Sequence, residues 1–554
     1  QVALDDWRKQ KRRLWLADAA RTVIAAVQKT KLSARQISFD DQIERFKKAL
    51  DKNANSLVAR IKQDYPVAMV DEFQDTDHLQ YSIFSTIYGR CENAALILIG
   101  DPKQSIYSFR RADVFTYQRA RQASSQQFTL EVNYRSSAEY VTMLNQVFEA
   151  NPDAFIFSDL IRYQRATSNS DQPKKLQQDN QPAPPLVCWT LPVADKALDK
   201  ASAEQHFAMI CADNIADILQ RQNLQLDDVI AGANDLAVLV KTGKQAQLMQ
   251  QVLSARGIAS ALVSQDSVFA SDQALDILQC LMVMHNPTNT RYLFGLLLSN
   301  LIGWNQQQLV QLQQDNRQMI ALLEQMAGYQ KIWQEQGVLA AFFALIEAHS
   351  IIHQRLTHTD GERQITNWLH LVELLQQESA HHATREQTPQ WLNLQIEQAT
   401  TTTSPNRQEE YQLRLESDSE LVRIVTVHSS KGLQYPVVFL PFMWSVPTRF
   451  TPPSGYSYHD AEGQRQLMVE DDSQLQKMRE EKRAEEIRLF YVALTRAKYR
   501  SYLGWGYISG CGQSALAQLL YPELFDQNKY PYGFVIDNDQ TLLAPWHKIN
   551  AAQP

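Results

Sequence analysis

The chain has 554 residues, 44% hydrophobic and 21% charged, which is ordinary for soluble globular protein and allows about three or four domains. A net charge of -7 at pH 7 excludes a generally basic nucleic-acid coat but leaves room for a local basic groove. No apolar run reaches transmembrane length, no signal peptide is present, and the cysteines (Cys91, Cys188, Cys211, Cys280, Cys511) are scattered without a CxxC, so a cytoplasmic protein without disulfide, zinc or iron–sulfur chemistry is expected. The first residue is Gln1 rather than Met, as in a piece of a longer polypeptide.

Residues 1–33 are charged and Ala-rich, lack Gly and Pro, and read as helix. Ser38-Phe39-Asp40-Asp41 opens a second amphipathic helix, because Ser and Asp oxygens satisfy free N–H groups at a helix start. Val67-Ala68-Met69-Val70 reads as a short, fully buried strand that ends in Asp71-Glu72. Ligands of an open α/β sheet bind at the carboxyl ends of its strands. A carboxylate placed there can hold Mg²⁺, and its neighbour can orient or deprotonate a water. The pair therefore points to metal-assisted phosphoryl transfer. A helix is expected from His78 to Tyr88, and a second buried strand over Leu96–Ile99 that runs into a loop from Gly100 to Asp113. Phe128 to Ser137 reads as a strand followed by a loop and a helix.

Residues 169–185 are rich in Gln, Asn, Asp and Pro and read as an exposed linker. Strands are expected at Leu186–Val193 and Leu236–Val240, with a helix at Gln245–Arg256. Strand signals vanish from about Pro287 to Leu415 and return at Val422–His428 and Val437–Leu440, the pattern of an α/β domain interrupted by a helical insertion. A charged helix over 473–490 leads into Leu489–Lys498, and Ser501–Gly504 reads as a last strand. The tail after Tyr521 reads as weakly ordered. The six His residues between His349 and His382 show no metal-ligand spacing.

Taken together, Asp71-Glu72-Phe73-Gln74-Asp75-Thr76-Asp77, Gly100 to Asp113, Asn133-Tyr134-Arg135-Ser136, Val425 to Pro436 and Tyr491-Val492-Ala493-Leu494-Thr495-Arg496 resemble motifs II, III, IV, V and VI of the UvrD-type superfamily 1 DNA helicases. Within them the chain is similar to the RecB family, the beta subunits of exodeoxyribonuclease V. The resemblance implies an α/β fold of two RecA-like parallel-sheet domains, the first incomplete, with a helical domain inserted in the second. It divides the chain into a helical remnant over 1–33, a partial first RecA-like domain over 34–168, a linker over 169–185, a second RecA-like domain over 186–286 and 416–520, the helical insertion over 287–415, and a tail over 521–554.

ATP and Mg²⁺ are the implied cofactors. By the resemblance Asp71 holds the metal and Glu72 activates the attacking water. Gln104 senses the γ-phosphate, and Arg135 and Arg496 reach it from either side of a cleft. Guanidinium forks suit that task because they stay charged and bind phosphate bidentately. Tyr134 stacks on adenine, Gln434 stands at the position that touches the ribose, and Gly432 belongs with them to the nucleotide-binding set. Tyr107, Phe109, Arg110, His428, Ser430 and Lys431 line single-stranded DNA, the aromatic faces stacking on bases. The implied activity is 3′ to 5′ ATP-dependent unwinding from duplex DNA ends in break repair and recombination, with RecC and RecD as partner subunits.

This sequence departs from the family in one large respect. No G-x-x-x-x-G-K-[ST] phosphate loop is present; the nearest fragment, Thr242-Gly243-Lys244-Gln245, has Val238 at the first glycine position and follows motif II. The chain alone is therefore expected not to hydrolyse ATP, and the strand that would feed the loop is expected to leave an apolar edge beside Leu96–Ile99. Arg111 stands where the family has Gly, and Gln434 where it has Glu. No separate carboxylate-and-lysine cluster follows motif VI, so nuclease activity is not assigned. The competing reading is a helicase-like module that binds DNA or partner subunits without a working ATP site.

Overall fold

The computed structural model describes residues 2–551 apart from 35, 53, 90–93, 109–111, 158, 170–173, 264–266, 358–360, 380–383, 385, 402–420, 447–454, 461–462, 470, 472, 525–535 and 537. The chain forms two compact units, Gln1–Leu262 with Glu420–Pro554, and Val263–Ser419.

The first unit opens with α1 (Val2–Ser33). Helix α2 (Phe39–Lys52) begins at the expected cap: the Ser38 N–H donates to the Asp41 carboxylate and the Asp41 N–H to the Ser38 hydroxyl. Those donors and Lys31 hold the Asp41 carboxyl far below the usual carboxylate range. After α3 (Ala54–Asp64) come β1 (Val67–Val70), α4 (His78–Tyr88) and β2 (Ala95–Leu98). Strands β1 and β2 pair in parallel, Val67 opposite Ala95 and Val70 opposite Leu98. Alternation along a strand sends Ala68 and Leu96 inward, onto Leu50 of α2 and Ile83, Ile87 and Tyr88 of α4. The opposite face is bare, with Val67 56%, Met69 65%, Ile97 42% and Ile99 40% exposed, so the two apolar runs are half-buried rather than fully buried strands.

Helix α5 (Val114–Ala123), β3 (Val132–Asn133), α6 (Ala138–Glu149) and β4 (Thr167–Ser168) follow, β3 pairing in parallel with β4. The strand read from Phe128 is shorter than expected: Phe128 and Leu130 are 88% and 94% exposed, and pairing starts at Val132. The polar stretch read as a linker instead contains β5 (Leu176–Gln178) and β6 (Gln181–Pro182), joined over Asp179-Asn180 at φ 52° and 60°. Two left-handed residues in a row make a type I′ turn, which Asp and Asn tolerate. After β7 (Leu186–Leu191) and α7 (Lys200–Arg221), β8 (Leu224–Leu226) and β9 (Val229–Ile230) complete a four-stranded antiparallel sheet, β6-β5-β8-β9.

The larger sheet gains β10 (Leu236–Val240), then α8 (Gly243–Ser254) and β11 (Ser260–Val263). The second unit carries α9 (Asp272–His285), α10 (Thr290–Leu298), α11 (Gln306–Gln314), α12 (Asn316–Gln336), α13 (Val338–Ala348), α14 (Ile351–Arg355), α15 (Gly361–Ser379) and α16 (Gln387–Thr401). Its core is built from Ile277, Leu281, Phe342, Leu345, Trp368 and Leu371, among others. The first unit resumes with β12 (Val422–Thr426), β13 (Tyr435–Leu440), the hairpin β14 (Tyr456–His459) and β15 (Arg465–Met468), α17 (Leu475–Leu494) and β16 (Ala497–Gly506).

Six strands form one sheet in the order β11-β12-β10-β13-β16-β7. Its resolved ladders from β12 to β7 are parallel. All five residues of β10 have no exposure, as a central parallel strand covered on both faces requires. The fold is thus α/β: among the described residues a two-stranded parallel sheet, β1-β2, precedes the six-stranded one, and β3-β4 forms a further short parallel pair. Helix α18 (Ala515–Leu520) follows β16, and the tail, read as weakly ordered, contains α19 (Asp539–Ala551). It is tied down because the Tyr521 hydroxyl donates to Leu542 O at 2.7 Å and accepts from the Trp505 indole at 3.0 Å. Among the described residues no helix is long and apolar enough to cross a membrane.

Candidate nucleotide cleft

Asp71 and Glu72 lie at the carboxyl end of β1, both exposed. Glu72 is left-handed at φ 50°, ψ 38°, a conformation that strains a non-glycine residue by about 1–3 kcal/mol. Neighbours hold it there: its N–H donates to Asp71 Oδ1 at 2.8 Å and its carboxylate accepts the Gln74 amide. The turn Phe73–Asp75 is laced to the end of β2, with the Phe73 N–H on Ile99 O and the Asp101 N–H on Gln74 Oε1 at 3.0 Å. A Cβ on Gly100 would lie 2.5 Å from Gln74 Oε1, so a larger residue there would push the Gln74 side chain off the Asp101 N–H.

Asp101 then sets the next turn. It accepts the Lys103 N–H at 3.0 Å, pairs with Lys103 Nζ at 2.7 Å, and accepts the Gln104 amide at 3.2 Å. Gln104 Oε1 meets Arg496 Nη2 at 3.5 Å. Arg496, just past α17, is 1% exposed and donates to Val492 O and Leu433 O, both at 3.1 Å. Burial, followed by the nearby Arg135, brings its pKa down to about 10, so it stays charged at neutral pH. Arg135 donates to Thr495 O at 3.0 Å, which brings both arginines to one residue. The motif IV backbone is stitched to the start of β16, the Ser136 hydroxyl on Ala497 O at 2.9 Å and the Ser137 N–H on Lys498 O at 2.8 Å. Tyr134 is 72% exposed, and Gly432 and Gln434 are exposed on the loop after β12, Gly432 at φ 82°.

The residues read as strand contacts divide differently. Lys431 does not line an open surface: its side chain is 6% exposed, and its ammonium meets Asp75 Oδ2 at 2.5 Å, Gln104 O at 3.1 Å and Glu72 Oε2 at 3.6 Å. Ser430 is fully buried, its hydroxyl donating to Val427 O. Burial lowers the His428 pKa, which keeps the ring neutral at neutral pH. Tyr107 is half-buried and gives its hydroxyl to His428 O at 3.0 Å, while Lys431 Nζ lies 5.0 Å from its ring centre. Phe109, Arg110 and Arg111 lie outside the described residues.

Helix α17 supplies contacts the sequence reading missed. Arg488 Nε donates to Ser105 O at 2.6 Å, Glu485 accepts the Ser108 N–H at 3.2 Å, and the Tyr491 hydroxyl reaches Asp101 Oδ2 at 3.5 Å. In the sequence these belong to a charged helix like any other. The available signal was Arg488 standing inside the apolar run Ile487 to Phe490.

The arrangement suits a metal–triphosphate in part. Asp71 is accessible, and Glu72 lies 3.6 Å from the Lys431 ammonium and within electrostatic reach of Arg496. Among the described residues no group of three or more His, Cys, Asp or Glu could hold an ion. A single carboxylate completed by phosphates and waters is how Mg²⁺ is commonly held beside a nucleotide. A Gly-rich cradle for the β-phosphate is not among these residues.

Comparison with known proteins accords with this geometry. The chain is similar to the RecBCD enzyme subunit RecB of Escherichia coli K12, 33% identical over 505 residues, 89% of this chain and 42% of that protein. Its Haemophilus influenzae counterpart is 36% identical over 482 residues, covering 85% and 38%, and that of Mycolicibacterium smegmatis is 31% identical over 504 residues, covering 88% and 44%. The chain thus spans less than half the length of these relatives. Residues 3–125 match the UvrD/REP helicase N-terminal domain and residues 128–506 the UvrD-like helicase C-terminal domain, so this chain belongs to the UvrD-like helicases.

Proposed function

We propose that this chain is the motor part of a RecB-type subunit, an ATP-dependent 3′ to 5′ translocase that unwinds duplex DNA from an end for break repair and recombination. It works in the cytoplasm beside RecC- and RecD-like subunits. The observation that carries the reading is the cleft itself. Glu72, at the end of β1, lies 3.6 Å from the Lys431 ammonium and within electrostatic reach of Arg496, which Arg135 neighbours in turn.

In this reading Asp71 binds the metal and Glu72 takes a proton from the attacking water. Mg²⁺, when bound, neutralises developing charge on the phosphoryl oxygens. Gln104 is aimed by Asp101 and senses the terminal phosphate. Arg135 and Arg496 stabilise the charge that develops there. Arg496 is bonded to α17 and the motif V loop, so its position depends on how the lobes close. Tyr107 links the same loops to the strand-binding side.

ATP turnover further requires a phosphate loop, and we propose that a segment outside these 554 residues brings it to the bare β1–β2 sheet. The test measures ATP hydrolysis stimulated by single-stranded DNA. This chain is compared with the same chain joined to a phosphate-loop segment from a RecB relative, with Glu72→Gln as control. Hydrolysis only in the joined form, abolished by Glu72→Gln, supports the motor. A joined form that binds DNA without hydrolysing ATP supports a non-enzymatic DNA-binding or subunit-binding module instead.

A further inference from the structure

Lys174 lies just before β5, in the polar stretch between β4 and β7. Its ammonium donates to Tyr134 O at 3.0 Å and to Arg135 O. Hydrogen bonds from a charged donor are the stronger kind. The residues around it are built in. Lys175 gives its N–H to Asp227 Oδ1 at 2.7 Å and takes the Asp227 N–H on its carbonyl at 3.0 Å. Asp227 and Asp228 turn β8 into β9 with left-handed backbones, φ 50° and 67°. The other Asp227 oxygen accepts the Tyr499 hydroxyl of β16. The start of β16 in turn accepts from motif IV, on Ala497 O and Lys498 O. These contacts close a ring from motif IV to β16, to the β8–β9 turn, to Lys174 and back. Burial, followed by the nearby Lys498, lowers the Lys174 pKa, as for an ammonium partly withdrawn from water.

The two carbonyls do not depend on Lys174 equally. Arg135 is fixed besides by its N–H on Asn133 Oδ1 at 2.8 Å and by its guanidinium on Thr495 O at 3.0 Å. Tyr134 is 72% exposed, so its ring is aimed chiefly by its backbone. Loss of the ammonium therefore frees Tyr134 first. We propose that Lys174 is a positioning residue for the nucleotide base: it holds the Tyr134 peptide so that the ring stands ready to stack, and so sets nucleotide affinity without touching the nucleotide. This rests on the reading of Tyr134 as the adenine contact. A ring already held in place spares binding the cost of ordering it. Stacking on the base is present in the ground state and the transition state alike. Its loss therefore raises KM and leaves kcat unchanged.

The test uses the chain joined to a phosphate-loop segment. It measures kcat and KM for ATP, and the Kd of the fluorescent N-methylanthraniloyl ester of ATP, which reads binding whether or not ATP is turned over. Lys174→Met is expected to raise KM and Kd at least about fivefold, the affinity equivalent of one ordinary hydrogen bond, with kcat within about twofold of wild type. Lys174→Arg keeps a charged donor and is expected to restore both. In the Tyr134→Ala background Lys174→Met is expected to add nothing, because the group it positions is gone. An unchanged Kd in Lys174→Met, a fall in kcat at unchanged KM, or an equal loss in the Tyr134→Ala background overturns the positioning role while leaving Tyr134 as the base contact. If Tyr134→Ala itself leaves KM and Kd unchanged, the adenine reading fails and the proposal falls with it. Lys174→Gln, too short to reach both carbonyls, repeats the measurement if Lys174→Met does not fold, each fold being checked by circular dichroism.

Discussion

Single side chains decide what this cleft can do, and two of them invite direct measurement. Arg496 is buried and charged, and it is held by carbonyls of α17 and the motif V loop rather than by an acid. In the ATP-hydrolysing joined form, Arg496→Ala is expected to lower turnover by about 10³-fold, the lower range for an arginine that stabilises a transferring phosphoryl group. Binding of single-stranded DNA without nucleotide should change less than about threefold, which fluorescence anisotropy would check. Tyr140 plays a structural part nearby. Its fully buried hydroxyl donates to Leu494 O at 2.8 Å and pairs with Ser501 Oγ at 2.6 Å, joining α6 to the end of α17. Tyr140→Phe leaves both partners unsatisfied and is expected to cost about 1–3 kcal/mol in urea unfolding. At this scale much was legible. The structure brings Gln104, Arg135 and Arg496, all named from the sequence, together around Thr495 and leaves Asp71 and Glu72 exposed at the end of β1, while their roles there stay a proposal. Which way Lys431 points was not legible. Residue type and position do not reveal that the loop after β12 sends its side chain across the cleft instead of outward.

Elements were read well where the pattern was strong and poorly where composition stood in for geometry. The apolar run of β10 and the helix α4, with its Asp77 cap and Gln80 partner, appear where expected. Residues 169–185 did not read as structure because their side chains are polar. The β5–β6 hairpin is instead specified by the backbone tolerance of Asp179-Asn180. The tail misled for a similar reason: its Pro, Asn and Asp content hid Ile536, Leu542 and Ile549, which are buried. The β1–β2 sheet has a further consequence. Helices α2 and α4 cover one face, and the other shows Val67, Met69, Ile97 and Ile99 to solvent. An exposed apolar face beside an open strand edge promotes association. Met69→Lys, at a position 65% exposed, is expected to reduce self-association at tens of micromolar in sedimentation velocity. Its urea midpoint should stay near wild type, within about 0.5 kcal/mol. A clear loss of stability would mean that the face is covered within this chain.

Across the whole molecule, each unit carries a core of its own, and one buried carboxyl distinguishes them. Asp276, in the Val263–Ser419 unit, is 4% exposed and accepts the Trp368 indole at 3.1 Å and the Asn300 N–H at 3.0 Å. Burial outweighs those two donors and the nearby Arg355, so its pKa rises to about 6 from an ordinary 3.8. A raised carboxyl pKa means that the folded state holds a proton the unfolded state has released. The stabilisation is complete below about pH 3.8 and is lost as pH rises through about 6. Lowering the pH from 7.5 to 5 should therefore strengthen the helical unit through Asp276, against an opposing contribution from His349, whose pKa burial lowers. Asp41 in the other unit has its carboxyl depressed, so its contribution is present above its unfolded pKa and stays constant over this window. Urea unfolding followed by hydrogen exchange, which reads the two units separately, should show the α9 and α15 segments moving to higher urea between pH 7.5 and 5. Segments of β10 and β13 should not share that shift. Asp276→Asn should flatten the pH dependence of α9 and α15, at a cost of about 1–3 kcal/mol because the two donors meet different oxygens and the NH2 that replaces one of them cannot accept. A slope that survives the substitution would move its origin to another group in that unit.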